Sequence, residues 1–266
     1  MHILVTNDDG IDSPGLWVLA AALHESRLGH VTIIAPESEQ SGAGMSLPMR
    51  ADYAIRPAPP LDPAYAAIPA FALSGSPVGC VSAGMLAGVC APADVVVSGI
   101  NRGLNCGTNV LLSGTVGAAM IAALWGLPAM AVSLQLSGNG LMPWFTAAWA
   151  AVRAFPLLAH LRDHAPVVLN VNVPYLHSIQ ELRGFRQTRL SDFFYGNYVA
   201  MPIVAQDADE RRQMRFTFLR DRVPDFPATS DDGAVRAGYV SLTPLSPLID
   251  RADLDLQPAL AASGIA

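Results

Sequence analysis

Short apolar runs alternate with longer apolar segments through the first two thirds of the chain. The short runs include HILVT, VTIIAP and DVVVSGI, which are rich in β-branched residues and typical of buried strands. The longer ones include LWVLAAALHES and GTVGAAMIAALWG, whose length favours helices. This alternation predicts an α/β fold with a mainly parallel sheet flanked by helices.

Two dipeptides predict where helices begin. Ser13-Pro14 and Ser76-Pro77 each combine an N-cap residue with a proline suited to the first helical position. The longest apolar stretch, LMPWFTAAWAAVRAFPLLAHL, has the composition of a membrane span. Because Pro143, Arg153 and Pro156 interrupt it, we expect a buried or amphipathic helix instead.

The alternation is lost after about Pro174. Segments such as RGFRQTRLSDFFYGNYVAMPIVAQ, RRQMRFTFLRDR and AVRAGYVSLTPL carry aromatic, β-branched and charged residues, which favours strands. We therefore predict a catalytic core over residues 1–175. Residues 176–266 are predicted to form a β-rich C-terminal extension that packs on the core or on a neighbouring subunit and serves oligomerisation.

Charge and composition remove several classes of function. The chain has 266 residues and a net charge of −6, which argues against binding to nucleic-acid polymers or to anionic membranes. All sixteen basic side chains are Arg, so a P-loop lysine and a Schiff-base lysine are excluded. Three widely spaced cysteines and no signal-peptide pattern at the N-terminus predict free thiols and a cytoplasmic location.

Polar loops follow the predicted strands, and such loops meet at one edge of a parallel sheet. They contain NDDGIDSPG, ESEQSGAG, SGSP and NRGLNCGTNVLLSGT. These loops offer carboxylate, hydroxyl and amide oxygens but no histidine, which suits hard cations such as Mg²⁺, Mn²⁺ or Ca²⁺. The run Ser113-Gly114-Thr115 opens a predicted helix, whose free N–H groups favour a phosphate oxygen. Together these features predict metal-assisted phosphoester hydrolysis.

Other interpretations of the same residues remain open. Adjacent Asp8 and Asp9 before a glycine are also typical of a solvated turn. A phosphatase with an Asp nucleophile, as in the haloacid-dehalogenase group, would space its two Asp residues by one and use a Lys that is absent here. A dinucleotide-binding oxidoreductase would need a GxGxxG motif in the first loop, which the chain lacks.

The motifs ILVTNDDGIDSPG, APESEQSGAG, SGSPVGCV, VVVSGINRGLNCGTNVLLSGTVGAAM, NVNVP and GYVSLTPL resemble, in order, those of the SurE family. The resemblance runs from the first residues to about Pro247. It implies a Rossmann-like core, a β-rich C-terminal part used in assembly as a homodimer or homotetramer, and a divalent-metal-dependent phosphatase that acts on nucleoside monophosphates.

Carried over by position, the resemblance implies one divalent metal ion per subunit, held by Asp8, Asp9, Ser41 and Asn101. Asp8 and Asp9 are also the predicted catalytic residues. The predicted phosphate- and substrate-binding residues are Asn7, Gly42, Ser74, Asn105, Ser113, Gly114 and Thr115, and Ser76 is expected at the same edge. The chain departs from the family pattern at Gly79, Leu112 and Ile121.

The prediction is hydrolysis of nucleoside 5′-monophosphates, with 3′-monophosphates as a second class, to nucleoside and phosphate by a metal-activated water. Mg²⁺ or Mn²⁺ is the expected ion, and Ca²⁺ could take its place in a crystal. The alternative is a nucleotide-binding or regulatory module that keeps the metal loop with little turnover, and the departures at Gly79 and Ile121 favour it.

Overall fold

A computed structural model describes residues 1–49, 52–137, 140–164, 166–206 and 211–248. A nine-stranded sheet forms its centre, with the order β3-β4-β2-β1-β5-β6-β7-β13-β8. The strands are β1 His2–Thr6, β2 His30–Pro36, β3 Ile55–Pro57, β4 Ala70–Leu73, β5 Val95–Arg102, β6 Ala129–Leu134, β7 Val168–Val173, β8 Phe185–Gln187, β9 Val199–Ala200, β10 Ile203–Gln206, β11 Arg212–Met214, β12 Thr217–Phe218 and β13 Val240–Leu245. The helices are α1 Pro14–Glu25, α2 Pro77–Leu86, α3 Gly114–Leu124, α4 Trp144–Ala154, α5 Leu157–Leu161 and α6 Asp231–Arg236.

Six strands in the middle of the sheet, from β4 to β7, are parallel. The chain moves outward from β1 through β2 to β4, and then returns to the other side of β1 as β5. The gap between the carboxyl ends of β1 and β5 is therefore a topological switch point, where ligands bind in sheets of this kind. The predicted α/β fold, with its mainly parallel sheet, is confirmed.

Helices cover both faces of the sheet because its strands are apolar on both sides. In β1, Ile3 and Val5 belong to the core cluster that contains residues of α1 and α4. Leu4, between them, belongs to the cluster formed with α2 and α3. This alternation is the two-residue side-chain period of a strand, and it produces one core on each face.

The two predicted helix starts are confirmed. Ser76 is the N-cap of α2, and its Oγ accepts a hydrogen bond from Gly79 N–H at 3.1 Å. Ser13 precedes α1 in the same way, with Pro14 as the first helical residue, but makes no side-chain cap bond. The long apolar stretch forms α4 and α5, which are separated at Phe155 and Pro156. Among the described residues, no helix is long and apolar enough to cross a membrane.

The C-terminal region is rich in strands, and part of it belongs to the central sheet. Strand β13 pairs antiparallel with β7, and β8 pairs parallel with β13 at the sheet edge. Two small antiparallel pairs, β10 with β11 and β9 with β12, lie outside the central sheet. The predicted division at residue 175 thus falls just after β7, and whether it is a functional boundary stays a prediction; residues 249–266 lie outside the described residues.

Candidate metal and phosphate site

The loop after β1 is shaped by a buried asparagine. Asn7 Nδ2 donates to Gly10 O at 3.0 Å, and Gly10 N–H donates to Asn7 Oδ1 at 3.2 Å. This pair of bonds closes a tight turn around Asp8 and Asp9. The side chain of Asn7 thus stabilises this turn. Its predicted contact with the substrate stays a prediction.

Asp8, in the loop after β1, packs against the first turn of α3. Its Oδ1 accepts a hydrogen bond from Thr115 Oγ1 at 2.5 Å, and its carboxyl group is almost fully buried. Burial raises the pKa of Asp8, while hydrogen bonds from Thr115 and from the Gly114 backbone oppose the rise. The helix start that was predicted to meet a phosphate thus meets the Asp8 carboxylate directly, in a position that favours negative charge.

Asp9 is the less enclosed of the two carboxylates. Its Oδ2 accepts a hydrogen bond from Arg102 N–H, at the end of β5, at 3.2 Å. Burial, and next the negative charge of Asp8, raise the pKa of Asp9 to about 6. Two neighbouring carboxylates that resist ionisation for these reasons form a favourable site for a cation, which removes both penalties.

Ser41 and Asn101 supply neutral oxygens close by in the fold. Ser41 Oγ donates to Glu39 Oε1 at 2.8 Å, which leaves its lone pairs to act as a ligand. Asn101 Nδ2 donates to Gly103 O at 2.8 Å, so its Oδ1 is the atom suited to a cation. A register shift between Ser98 and Asn101 changes the direction of β5 at Gly99, whose φ of 142° requires glycine.

One cavity of about 1010 Å³ collects most of the predicted residues. The residues predicted for the site that line this cavity are Asp8, Ser41, Gly42, Asn101, Asn105 and Ser113. We call Asp8, Asp9, Ser41 and Asn101 the oxygen cluster. Asp9 is not among the lining residues, but it is bonded to Arg102, which lines the cavity.

Four predicted substrate contacts, Asn7, Ser74, Gly114 and Thr115, are outside the cavity lining. Ser74 Oγ accepts a hydrogen bond from Ala54 N–H at 2.8 Å, and it secures the edge of the sheet. Gly114 and Thr115 stand behind Asp8, and a Cβ added at Gly114 would lie 2.8 Å from Asp8 Cβ. Ser76 Oγ donates to Ser46 O while it caps α2. Whether these residues contact the substrate stays a prediction.

Ser113 and Asn105 line the cavity and are held by other groups. Ser113 is the N-cap of α3, and its Oγ accepts a hydrogen bond from Val116 N–H at 3.1 Å. Asn105 Nδ2 donates to Ser133 Oγ at 2.9 Å. The Asn105 main chain is bonded on both sides by the amides of Asn170 and Asn172, as its N–H donates to Asn172 Oδ1 and its O accepts from both Nδ2 atoms.

Several cavity residues were not predicted from the sequence. Four aromatic side chains, Phe193, Tyr195, Phe216 and Phe218, line the cavity and are called the aromatic cluster below. Asp232 and Arg236 also line it and form an ion pair at 2.6 Å. The aromatic content of the C-terminal segments was visible in the sequence, but nothing in the pattern indicated that these segments reach the carboxyl ends of β1 and β5.

The three departures from the family pattern occupy different environments. Leu112 lines the cavity and is 37% exposed, so its side chain is available to a bound ligand. Gly79 is buried in the first turn of α2, and Ile121 packs partly buried against the core between the sheet and α3. Of the three, Leu112 is the position that affects the ligand space directly.

The oxygen cluster fits a hard divalent cation by its chemistry. It combines two carboxylates with a hydroxyl and an amide oxygen, which are ligands typical of Mg²⁺ and Mn²⁺. Burial raises the pKa of both carboxyl groups, and the negative charge of Asp8 raises that of Asp9 further, so a bound cation would favour the ionised form of each. In the described part of the chain, no group of three or more His, Cys, Asp or Glu side chains is placed to hold a metal; the other oxygens of the cluster are the neutral ones of Ser41 and Asn101.

A mainly parallel sheet with an oxygen-lined cavity at its switch point places the chain in the Rossmann-like α/β class. The family model described as Survival protein SurE matches residues 3–197. The chain belongs to the SurE family. The resemblance seen in the sequence motifs is therefore confirmed.

Relatives in several bacteria show the same membership. The protein named 5′-nucleotidase SurE of Legionella pneumophila is 37% identical over 92% of this chain and 90% of its own length. That of Xanthomonas campestris is 38% identical over 92% of this chain and 89% of its own length. A protein of Photorhabdus laumondii named 5′/3′-nucleotidase SurE is 36% identical over 92% of this chain and 89% of its own length. These names confirm the prediction that the chain is an enzyme of the nucleotidase class.

A solved structure supports the fold over the full length. The crystal structure of the SurE protein from Aquifex aeolicus matches with a TM-score of 0.74 and 27% identity. It covers 99% of this chain, and the match includes 100% of the Aquifex aeolicus chain. The β-rich C-terminal region is therefore shared with that relative.

Proposed function

We propose that this protein hydrolyses nucleoside 5′-monophosphates, and 3′-monophosphates as a second class, with the help of a divalent metal ion. The observation that carries the proposal is the convergence of Asp8, Ser41 and Asn101 on one cavity, with Asp9 beside them. The names of the relatives from Legionella pneumophila and Photorhabdus laumondii supply the substrate class.

The oxygen cluster is the proposed ligand set for one Mg²⁺ or Mn²⁺ per subunit, and Ca²⁺ can occupy the same oxygens. A bound divalent ion polarises a phosphoryl group and lowers the pKa of water. Asp8 is fixed for this task by Thr115 and α3, so its orientation is independent of the ligand. Asn101 is fixed by its own bond to Gly103.

Asp9 is the proposed proton acceptor for the attacking water. A carboxylate beside the attacking water can accept the proton that the water loses. Asp9 is also held by one backbone N–H, from Arg102. Ser113 and Asn105 line the same cavity and are the proposed contacts for the phosphate oxygens.

The proposal is tested by phosphate release from a panel of nucleoside 5′- and 3′-monophosphates, after chelation and again with Mg²⁺ or Mn²⁺ restored. Release that returns with the metal, and that Asp9→Ala lacks while its circular dichroism stays native and its melting temperature is no lower than that of the wild type, supports the proposal. Tight nucleotide binding without release from folded protein would favour the binding or regulatory module.

A further inference from the structure

The aromatic cluster is fastened to the loop that carries the site. Thr108 N–H donates to Phe193 O at 2.8 Å. Tyr195 N–H donates to Asn109 Oδ1 at 3.1 Å. Residues 107–111 directly follow Asn101 and Asn105 in the chain, so the rings are held beside the oxygen cluster in one cavity.

The rings of the cluster differ in how much of their surface is already used. Phe193 stacks on Tyr198 at 5.7 Å with an interplanar angle of 8°, and it also contacts the edge of Phe226. Tyr195 and Phe216 form a tilted pair at 5.9 Å and 55°. Phe216 is 54% exposed, so most of its ring is available to a flat partner.

Polar side chains near these rings already have protein partners. Asp232 accepts from Arg236 at 2.6 Å, and Gln135 Oε1 accepts from Tyr175 N–H at 3.1 Å. Asn109 Oδ1 is bonded to Tyr195 as described. The bonds described engage the amide oxygens of Gln135 and Asn109 and leave their N–H groups able to donate, whereas a ligand that stacks on a ring needs no hydrogen bond at all.

We propose that Phe216, held by the tilted ring of Tyr195, provides the stacking face of a nucleobase subsite, so that the enzyme recognises the ring face of the base and accepts all common bases. The inference rests on the proposed function, because the phosphate of the same nucleotide lies at the oxygen cluster. Every base has a π-face, and stacking on an aromatic side chain is therefore tolerant of base identity. Purines, with two fused rings, bury more of Phe216 than pyrimidines do.

The experiment compares AMP, GMP, CMP and UMP with ribose 5-phosphate, which keeps the sugar phosphate and lacks the base. Wild-type protein is expected to show a lower KM for every nucleotide than for ribose 5-phosphate, with purines lowest. Phe216→Ala is expected to raise the KM for AMP about 10-fold, because stacking on one aromatic side chain contributes an effect of this size. The kcat for AMP and the kcat/KM for ribose 5-phosphate should stay close to wild type.

Phe216→Trp and Phe145→Ala are the controls. Phe216→Trp keeps a stacking face and should restore the low KM for AMP. Phe145 is a 68% exposed aromatic residue of α4 that does not line the cavity, so Phe145→Ala should change neither substrate. An equal loss for AMP and ribose 5-phosphate in Phe216→Ala, or no loss for either, would overturn the inference.

Two further measurements distinguish a base subsite from a contact between subunits. Calorimetric titration of AMP into wild-type and Phe216→Ala protein measures the base subsite without turnover, so it remains decisive if no phosphate is released and the proposed function fails. Light scattering on both proteins measures the assembly. A changed assembly in Phe216→Ala, together with an equal loss for both substrates, would identify this surface as a contact between copies of the chain and refute the subsite.

Discussion

Two neighbouring carboxylates at the switch point have different surroundings. Asp8 is enclosed by Thr115 and the first turn of α3, while Asp9 is bonded to a backbone N–H of β5. The pKa of each is raised mainly by burial. The sequence predicted the pair and its cation, but it could not predict that the start of α3 would be occupied by Asp8, because that depends on the packing of α3 against the first loop.

The raised pKa of Asp9 predicts opposite effects of pH on folding and on metal binding. The pKa rises from 3.8 to about 6 in the folded, metal-free protein, so the folded state holds this proton more tightly than the unfolded state. The stability linked to Asp9 is therefore fully present below pH ~4 and lost as the pH rises through about 6. We expect metal-free protein to lose on the order of 1 kcal/mol of unfolding free energy from this group.

Urea unfolding of metal-free wild type and Asp9→Asn at about pH 5 and about pH 8 checks this expectation. The wild type should be the less stable at the higher pH, and the Asp9→Asn variant should lack that difference. Metal binding needs ionised carboxylates, so Mn²⁺ affinity should instead increase across the same interval. An unchanged pH dependence in Asp9→Asn would assign the effect to another group.

Gly114 is required by the close approach of α3 to Asp8. A Cβ at position 114 would lie 2.8 Å from Asp8 Cβ, a distance that forces the carboxylate or the helix to move. We expect Gly114→Ala to lower kcat/KM at least about 10-fold, since displacement of about 1 Å in a site has large effects. The measurement is phosphate release with saturating Mn²⁺.

Gly79→Ala provides the matched control, since it also lies in the first turn of a helix. Its added Cβ would be 3.4 Å from the nearest atom, on Leu73, which is ordinary contact. Gly79→Ala should retain activity and be neutral or slightly more stable, as expected for alanine in a helix. Equal losses in both variants would mean that the approach to Asp8 is not the cause.

At the scale of elements, the amides of β7 position the loop after β5. Asn172 meets the main chain of Asn105 with both atoms of its amide, at 2.9 and 3.0 Å, and Asn170 adds a third bond. Ser241 of β13 is the register partner of Asn172, and it bonds Thr188 instead of the loop. The buried amides of Asn170 and Asn172 are thus bonded to the loop of the site, whereas the hydroxyls of Ser241 and Thr188 bond only each other's segments.

Asn172→Leu is expected to weaken both stability and metal binding. It leaves the buried N–H of Asn105 without its partner, at about 1–3 kcal/mol of unfolding free energy. The loss of this bond frees the loop after β5, which follows directly on Asn101 and Arg102, so Mn²⁺ affinity should fall about 5-fold or more, by analogy with other residues that orient metal ligands. Urea unfolding and Mn²⁺ titration measure the two effects.

Thr188→Val serves as the control for a purely structural loss among these buried polar side chains. Thr188 bonds Ser241 and Thr243, so the variant should be destabilised by a similar amount while it keeps wild-type Mn²⁺ affinity. If both variants lose metal affinity in proportion to their stability, the amides of β7 have no specific effect on the site.

Some of these elements could be predicted from the sequence, and others could not. Parallel strands, the starts of α1 and α2 and the loops after β1 and β5 were predictable, because local periodicity and caps determine them. The insertion of β13 between β7 and β8 was not, because pairing between strands distant in the chain leaves no local pattern. For the same reason the position of the aromatic cluster beside the oxygen cluster could not be predicted, since it depends on contacts of Phe193 and Tyr195 with residues 108 and 109, far away in the chain.

At the scale of the whole molecule, assembly stays a prediction. The chain outside the central sheet exposes apolar side chains, including Met201 and Ile203, each 54% exposed. Exposed apolar groups of this kind favour contact between subunits. Light scattering is expected to give the mass of a dimer or a tetramer, and Ile203→Arg should shift it toward the monomer; a monomeric wild type would exclude the predicted role of residues 176–266 in assembly.

The cysteines are free in the described structure, and a cytoplasmic location remains a prediction from their number and spacing.

The central claim is that the oxygen cluster holds one divalent ion on which hydrolysis of nucleoside monophosphates depends. Calorimetric titration of Mn²⁺ into chelator-treated protein, with phosphate release from AMP followed in the same samples, tests it most directly. The account predicts one ion per chain, activity that rises in step with occupancy, and loss of both in Asp8→Asn that still folds. Undiminished Mn²⁺ binding in Asp8→Asn, or full activity before any metal is added, would contradict it.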